Sequence, residues 1–297
     1  MEWKLSRREF LRSTGSFLIS LPLMNSLGSH SSEANPGEMY GFLVDISRCI
    51  GCGDCQAACK IKNDLPVSSD LPYERNERSY WDNYSTLSAY TWTRIRSKSL
   101  VKDGKEIVRF IKEQCMHCID PACASVCFVG ALYKTPEGPV IYREDRCVGC
   151  RYCVYACPWG VPKWQWDKPF PFIQKCNMCY DRIIEGKKPA CVEACKVGAL
   201  TFGKRKELIE EAKRRISGGG YVNYIYGEEE AGGTCVLYIS DVPFDELEFR
   251  KVMKFSYPEL TQAYLGKMPI VIPSLFVGLL GLYLYSKRRQ EVREVKE

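Results

Sequence analysis

Four groups of four cysteines constrain this chain more than any other feature. Cys49, Cys52, Cys55 and Cys59 read CIGCGDCQAAC; Cys115, Cys118, Cys123 and Cys127 read CMHCIDPACASVC. Cys147, Cys150, Cys153 and Cys157 read CVGCRYCVYACP; Cys176, Cys179, Cys191 and Cys195 read CNMCYDRIIEGKKPACVEAC. Two residues between cysteines let one tight loop aim successive sulfurs at a single cluster, and a cysteine three residues further on points away toward a neighbour. The third group, closing on Pro158, fits C-x2-C-x2-C-x3-C-P throughout. The second widens one gap to Ile119–Ala122 and the fourth to Tyr180–Ala190, and both keep the last three-residue gap. At four thiolates per cluster, sixteen cysteines hold four [4Fe–4S] clusters, which is a wire and not a catalytic centre.

Two other uses of cysteine compete. Structural zinc takes paired CxxC knuckles, and only the fourth group, with its wide central gap, resembles that arrangement. A disulfide framework belongs to small secreted scaffolds, which a 297-residue chain is not. The seventeenth cysteine, Cys235, lies in the strand-like run TCVLYIS and reads as a buried apolar residue.

Both ends of the chain point to a membrane. Residues 1–34 read as a twin-arginine export segment: Arg7 and Arg8 precede Phe10 and Leu11, and a mild apolar stretch follows. An export route for proteins already folded around their cofactors reconciles sixteen free thiolates with an oxidising destination. Near the other end, Met268 to Tyr285 carries no charge and would span about 27 Å as a helix, just enough for a bilayer core of about 30 Å. Lys287, Arg288 and Arg289 follow at once, as in a cytoplasmic anchor end. The expected organisation is an export segment (1–34), a working domain (35–240), a linker (241–267), a transmembrane helix (268–286) and a cytoplasmic tail (287–297). The bulk of the protein is expected on the periplasmic side of the cytoplasmic membrane.

Within the working domain, Tyr90–Arg96 and Glu106–Ile111 read as strands either side of a Lys-Asp-Gly turn. Lys206–Ile216 has Leu208, Ile209, Ala212 and Ile216 at helical spacing, and Val236–Ile239 reads as a strand. Lysine and arginine exceed acids by six, but four clusters at about −2 each bring the loaded protein to about −2. With no basic helix or aromatic RNA motif, nucleic acid is not an expected partner.

The four quartets, the segment CNMCYDRIIEGKKPACVEACKVGAL and the phrase GGTCVLYISDVPF resemble the four-cluster iron–sulfur subunits of dimethyl-sulfoxide-reductase-type enzymes and formate dehydrogenase. With the paired arginines and the C-terminal apolar run, the chain is most similar to the ferredoxin-like subunit of periplasmic, quinone-linked nickel–iron hydrogenase. The resemblance implies an α+β fold: two bacterial-ferredoxin-like lobes, each binding two [4Fe–4S] clusters, with inserted strands and one C-terminal transmembrane helix. It implies that Cys49, Cys52, Cys55 and Cys195 hold one cluster, and Cys176, Cys179, Cys191 and Cys59 a second. Cys115, Cys118, Cys123 and Cys157 would hold a third, and Cys147, Cys150, Cys153 and Cys127 a fourth. Lys60 and Lys196 stand where the family often has proline after the crossing cysteines of one lobe; cations there would raise that lobe's potentials relative to the other, and the alternative is that both point into solvent and are screened.

The implied function is electron transfer, without a catalytic residue. Electrons would pass between a catalytic partner, a hydrogenase, and an integral membrane quinone-reactive subunit. The alternative partner is a molybdopterin enzyme of the formate dehydrogenase, sulfur-oxyanion or polysulfide reductase type. A self-contained reductase would need an open metal position or a nucleotide fingerprint, and no G-x-G-x-x-G follows a strand. A scaffold would have no use for four closely spaced clusters.

Overall fold

The first strand, β1 (Tyr40–Asp45), is buried along nearly its whole length because it lies between two others. It runs antiparallel to β8 (Leu200–Lys204), pairing Val44 with Leu200, and parallel to β9 (Val236–Ile239), pairing Phe42 with Val236. The computed structural model describes residues 35–66, 87–102 and 104–294. The expected export segment, 1–34, lies outside the described residues.

Helix α6 (Arg205–Ser217) covers one face of this sheet. Its apolar stripe, Leu208 and Ala212 with Ile209 and Ile216, packs on Leu43, Leu237, Ile239 and Ile225. A ring cluster covers the other side: Tyr226 and Tyr238 meet Phe244 and Phe249. Covered on both faces, β9 is buried at all four positions. Close packing leaves no room at Gly41, where an added Cβ would stand 2.2 Å from the Cys235 carbonyl oxygen.

Of the expected strands either side of the Lys-Asp-Gly turn, the second is longer than expected and the first starts later, leaving Tyr90 to Thr93 outside it and running on to Lys102. β2 (Arg94–Lys102) and β3 (Lys105–Glu113) form a nine-pair antiparallel hairpin. Basic side chains pin it to the chain beyond β9. Arg109 and Lys102 both hold Asp241, at 2.6 and 2.8 Å, and Arg96 donates to the Leu247 carbonyl at 2.8 Å. The stretch 241–267, expected to be a linker, therefore begins as part of the body: Val242, Phe244 and Leu247 are buried.

Short helices carry the cysteines. α1 (Asp54–Lys62) holds Cys55 and Cys59, α2 (Ala122–Ser125) holds Cys123, and α3 (Tyr152–Ala156) holds Cys153. α4 (Tyr180–Ile184) follows Cys179, and α5 (Ala190–Glu193) holds Cys191. α1 packs against α5, and α2 against α3. The first quartet thus meets the fourth, and the second meets the third. Small hairpins, β4 (Leu132–Lys134) with β5 (Val140–Tyr142) and β6 (Lys163–Trp164) with β7 (Ile173–Gln174), flank the second pair.

Beyond the body, α7 (Tyr257–Leu265) starts at a proline in its first turn and leads into α8 (Met268–Glu294). At 27 residues α8 is about 40 Å long. It is apolar enough to cross a membrane, with a mean hydropathy of 1.9 over its best window and none of that window buried. The helix does not end with the apolar run: it continues through Lys287, Arg288 and Arg289 to Glu294. Pro273 lies inside it and has no N–H to offer the carbonyl four residues back, at Pro269.

Candidate iron–sulfur centre

The first C-x-x-C loop of each quartet repeats one backbone feature. The residue just before its second cysteine is left-handed in all four: Gly51 (φ 73°), His117 (φ 46°), Gly149 (φ 72°) and Met178 (φ 60°). That conformation turns the chain sharply enough for both sulfurs to face one point. Glycine adopts it freely, whereas other residues are strained by about 1–3 kcal/mol and need support from their surroundings. His117 and Met178 have that support, both being fully buried. Val140 N–H donates to His117 Nδ1 at 2.9 Å, so the neutral ring carries its proton on Nε2. Burial, with Lys175, Lys134 and Lys112 nearby, holds the His117 pKa well below its usual value.

The loops bring the thiols together across the chain. Cys195 lies beside Cys49, and Cys55 lies near Cys49 and Cys52. Cys59 lies among Cys176, Cys179 and Cys191. In the other pair of quartets, Cys157 lies among Cys115, Cys118 and Cys123, and Cys127 beside Cys153. The last cysteine of each quartet therefore stands with the other quartet of its pair. One pocket is lined by Cys49, Cys52, Cys55 and Cys195, and another by Cys59, Cys176, Cys179 and Cys191.

Four soft thiols around an apolar pocket fit an iron–sulfur cluster. Mononuclear zinc needs four sulfurs each about 2.3 Å from one ion. Among the described residues no three His, Cys, Asp or Glu side chains are grouped closely enough to hold a single metal ion. Backbone N–H groups also reach the sulfurs: Met178 donates to Cys176 Sγ at 3.3 Å and Ala131 to Cys127 Sγ at 3.2 Å. Such bonds stabilise the more electron-rich cluster.

Burial favours the neutral thiol over the thiolate. Burial pushes Cys55, Cys59 and Cys153 up to about 12. Cluster binding must displace those protons, because thiolates are the ligands.

The pairs touch and the ends are open. Cys115 and Cys176 share one apolar cluster with Val161, Trp159 and Trp92, while Trp164 shares another with Cys123 and Cys153. Of the sixteen quartet cysteines, only Cys52 and Cys150 are exposed, one in each pair of quartets. Cys235 is fully buried outside every group and receives a hydrogen bond from Lys134 at 3.3 Å.

The two lysines singled out in the sequence differ in setting. Lys60 is buried and donates to the Pro66 carbonyl at 3.0 Å. Lys196 is 83% exposed and pairs with Asp54 at 3.1 Å. The cation deepest among the thiols is one the sequence reading passed over, Lys112 at the end of β3. Burial pulls its pKa down, and it stands above its usual value only through thiolate charge at Cys191, Cys55, Cys176 and Cys59, the form those sulfurs take as ligands.

Crossed cysteine quartets on short helices beside a small mixed sheet define an iron–sulfur protein of the 4Fe–4S dicluster class. Residues 48–131 and 107–205 each match a family described as a 4Fe-4S dicluster domain. The chain is 40% identical to a protein of Nitratidesulfovibrio vulgaris, over 97% of this chain and 79% of that one. It is 37% identical to the hydrogenase-2 operon protein HybA of Escherichia coli O157:H7, over 84% of each. It is also 37% identical to the nitrate-inducible formate dehydrogenase iron–sulfur subunit of Escherichia coli K12, over 75% of each. The chain belongs to the family of iron–sulfur subunits that contains these last two proteins. It is a membrane-linked electron-transfer subunit carrying [4Fe–4S] clusters, with one helix able to cross a membrane among the described residues.

Proposed function

We propose that this subunit carries four [4Fe–4S] clusters in two lobes and relays single electrons between a hydrogenase and a quinone-reactive membrane subunit. The observation that carries the reading is the crossing of the last cysteines. Cys195 stands with the first quartet, Cys59 with the fourth, Cys157 with the second and Cys127 with the third. The ligand sets would be Cys49, Cys52, Cys55, Cys195; Cys176, Cys179, Cys191, Cys59; Cys115, Cys118, Cys123, Cys157; and Cys147, Cys150, Cys153, Cys127.

When bound, each cluster supplies a site for one electron. The chain's residues then set the route. Cys55 neighbours Cys191, Cys176 neighbours Cys115, and Cys123 neighbours Cys153, which supports an unbroken order through those four sets. Exposed Cys52 and Cys150 would open the two ends to partners. Trp92, Trp159 and Trp164 exclude water between them. No side chain is asked to move a proton, so the subunit is not itself catalytic.

α8 would cross the cytoplasmic membrane once, with its basic end inside and the body on the periplasmic side after twin-arginine export. HybA favours the hydrogenase partner, by its name and by coverage of 84% of both chains. The formate dehydrogenase subunit supports the second reading, a molybdopterin-enzyme partner. Native membranes under hydrogen or formate would separate the two. Hydrogen-dependent reduction of this subunit's clusters is expected; reduction by formate alone would favour the second reading and overturn the first.

A further inference from the structure

Lys112 is 1% exposed, at the end of a strand where both faces are covered. Its side chain lines the pocket formed by Cys49, Cys52, Cys55 and Cys195. Its Nζ lies 5.7 Å from the centroid of the Phe42 ring, and Phe42 lines the neighbouring pocket of Cys59, Cys176, Cys179 and Cys191. The ammonium therefore stands at the seam between the two cysteine sets of one lobe.

A buried ammonium without a counter-charge costs several kcal/mol. The other buried lysines of the centre reach backbone oxygens: Lys60 donates to the Pro66 carbonyl, and Lys175 to the carbonyls of Val140 and Cys176. Lys112 donates to the neutral Gln114 Oε1, and among the described residues it forms no ion pair with a carboxylate. Protonated thiols would supply no negative charge either. The missing counter-charge has one source at this position: four thiolates around a cluster core, in each of the two adjacent pockets.

We propose that the Lys112 ammonium is the shared electrostatic anchor of the two clusters held by the first and fourth quartets, stabilising the reduced form of both. It rests on the four-cluster ligand sets proposed above. Each reduction adds one electron and one negative charge to a cluster and makes or breaks no bond. A fixed cation nearby therefore favours reduction, and in a dry interior the attraction is weakly screened. Because one ammonium faces both pockets, the two clusters gain together.

The test is a dithionite titration of the full-length, anaerobically purified protein, followed by electron paramagnetic resonance and iron analysis. Wild type is measured first: fewer than sixteen irons would remove the four-cluster reading itself, whatever Lys112 does. With sixteen present, Lys112→Gln should leave two clusters about tenfold harder to reduce at a fixed potential, or about 59 mV for a one-electron couple. The other two should not move, and Lys112→Arg should restore the first two. No shift, or an equal shift in all four, would overturn the proposal. If Lys112→Gln fails to load, loss of about eight irons from the first and fourth quartets alone, recovered in Lys112→Arg, supports it. Loss from all four, or an arginine variant as deficient as the glutamine one, overturns it.

Discussion

Replacing Asp241 by asparagine should release the β2–β3 hairpin from the body. Asp241 receives hydrogen bonds from Arg109 Nε at 2.8 Å and Lys102 Nζ at 2.8 Å, and its side chain is 9% exposed. Those contacts, the Arg109 hydrogen bond first, hold its carboxyl at about 2, against an ordinary 3.8. A carboxyl depressed in the folded state contributes stability that is fully present above the ordinary value and is lost as pH falls through about 2. The difference corresponds to about 2 kcal/mol at neutral pH. Asparagine keeps the shape but not the charge, so Asp241→Asn should lose about that much at pH 7. Hydrogen exchange of the hairpin amides, followed by mass spectrometry, reads this directly. About 2 kcal/mol is roughly thirtyfold faster local opening. The β1–β8–β9 sheet should exchange as before. Unchanged hairpin exchange would mean that the strand pairing alone, and not this clamp, secures the hairpin.

Further outcomes follow from the same geometry. Cys195→Ser and Cys49→Ser should alter the same paramagnetic signal and Cys191→Ser a different one; matching changes in Cys195→Ser and Cys191→Ser would contradict the crossing. Gly51→Ala should loosen the first quartet's cluster, since φ is +73° and the new Cβ would lie 2.4 Å from the Phe110 ring. About four irons should then be lost on mild warming while about twelve persist, as measured by chelator capture. Ending the chain after Gly266 should move the protein from the membrane fraction to the soluble fraction without loss of iron, because α8 buries nothing in the body.

Much of this was legible in the sequence because spacing carries it. Three-residue gaps at Cys59, Cys127, Cys157 and Cys195 announce sulfurs that point away from their own loops. The helical stripe of Leu208, Ile209, Ala212 and Ile216 fixes α6, and the run VLYI fixes β9. What the sequence concealed depends on long-range contact. Pro243 and the mixed charges of 241–249 read as linker, yet Leu247 is buried and Phe244 and Phe249 complete the aromatic cluster beside β9. Glycine marks the left-handed turn in two loops; His117 and Met178 take it in the others because burial holds them there, which no local pattern shows. Lys112 reads as a solvent residue of a charged hairpin. Its burial makes sense only beside an anion the protein does not encode.

Four one-electron carriers in one conducting row fix both the iron content and the electron count of the protein. Coulometric titration of the anaerobically purified protein, paired with iron analysis, reads both at once. About sixteen irons and four electrons, taken up and returned reversibly per polypeptide, are expected. Eight irons with two electrons, or zinc in place of iron, would rule out the four-cluster row.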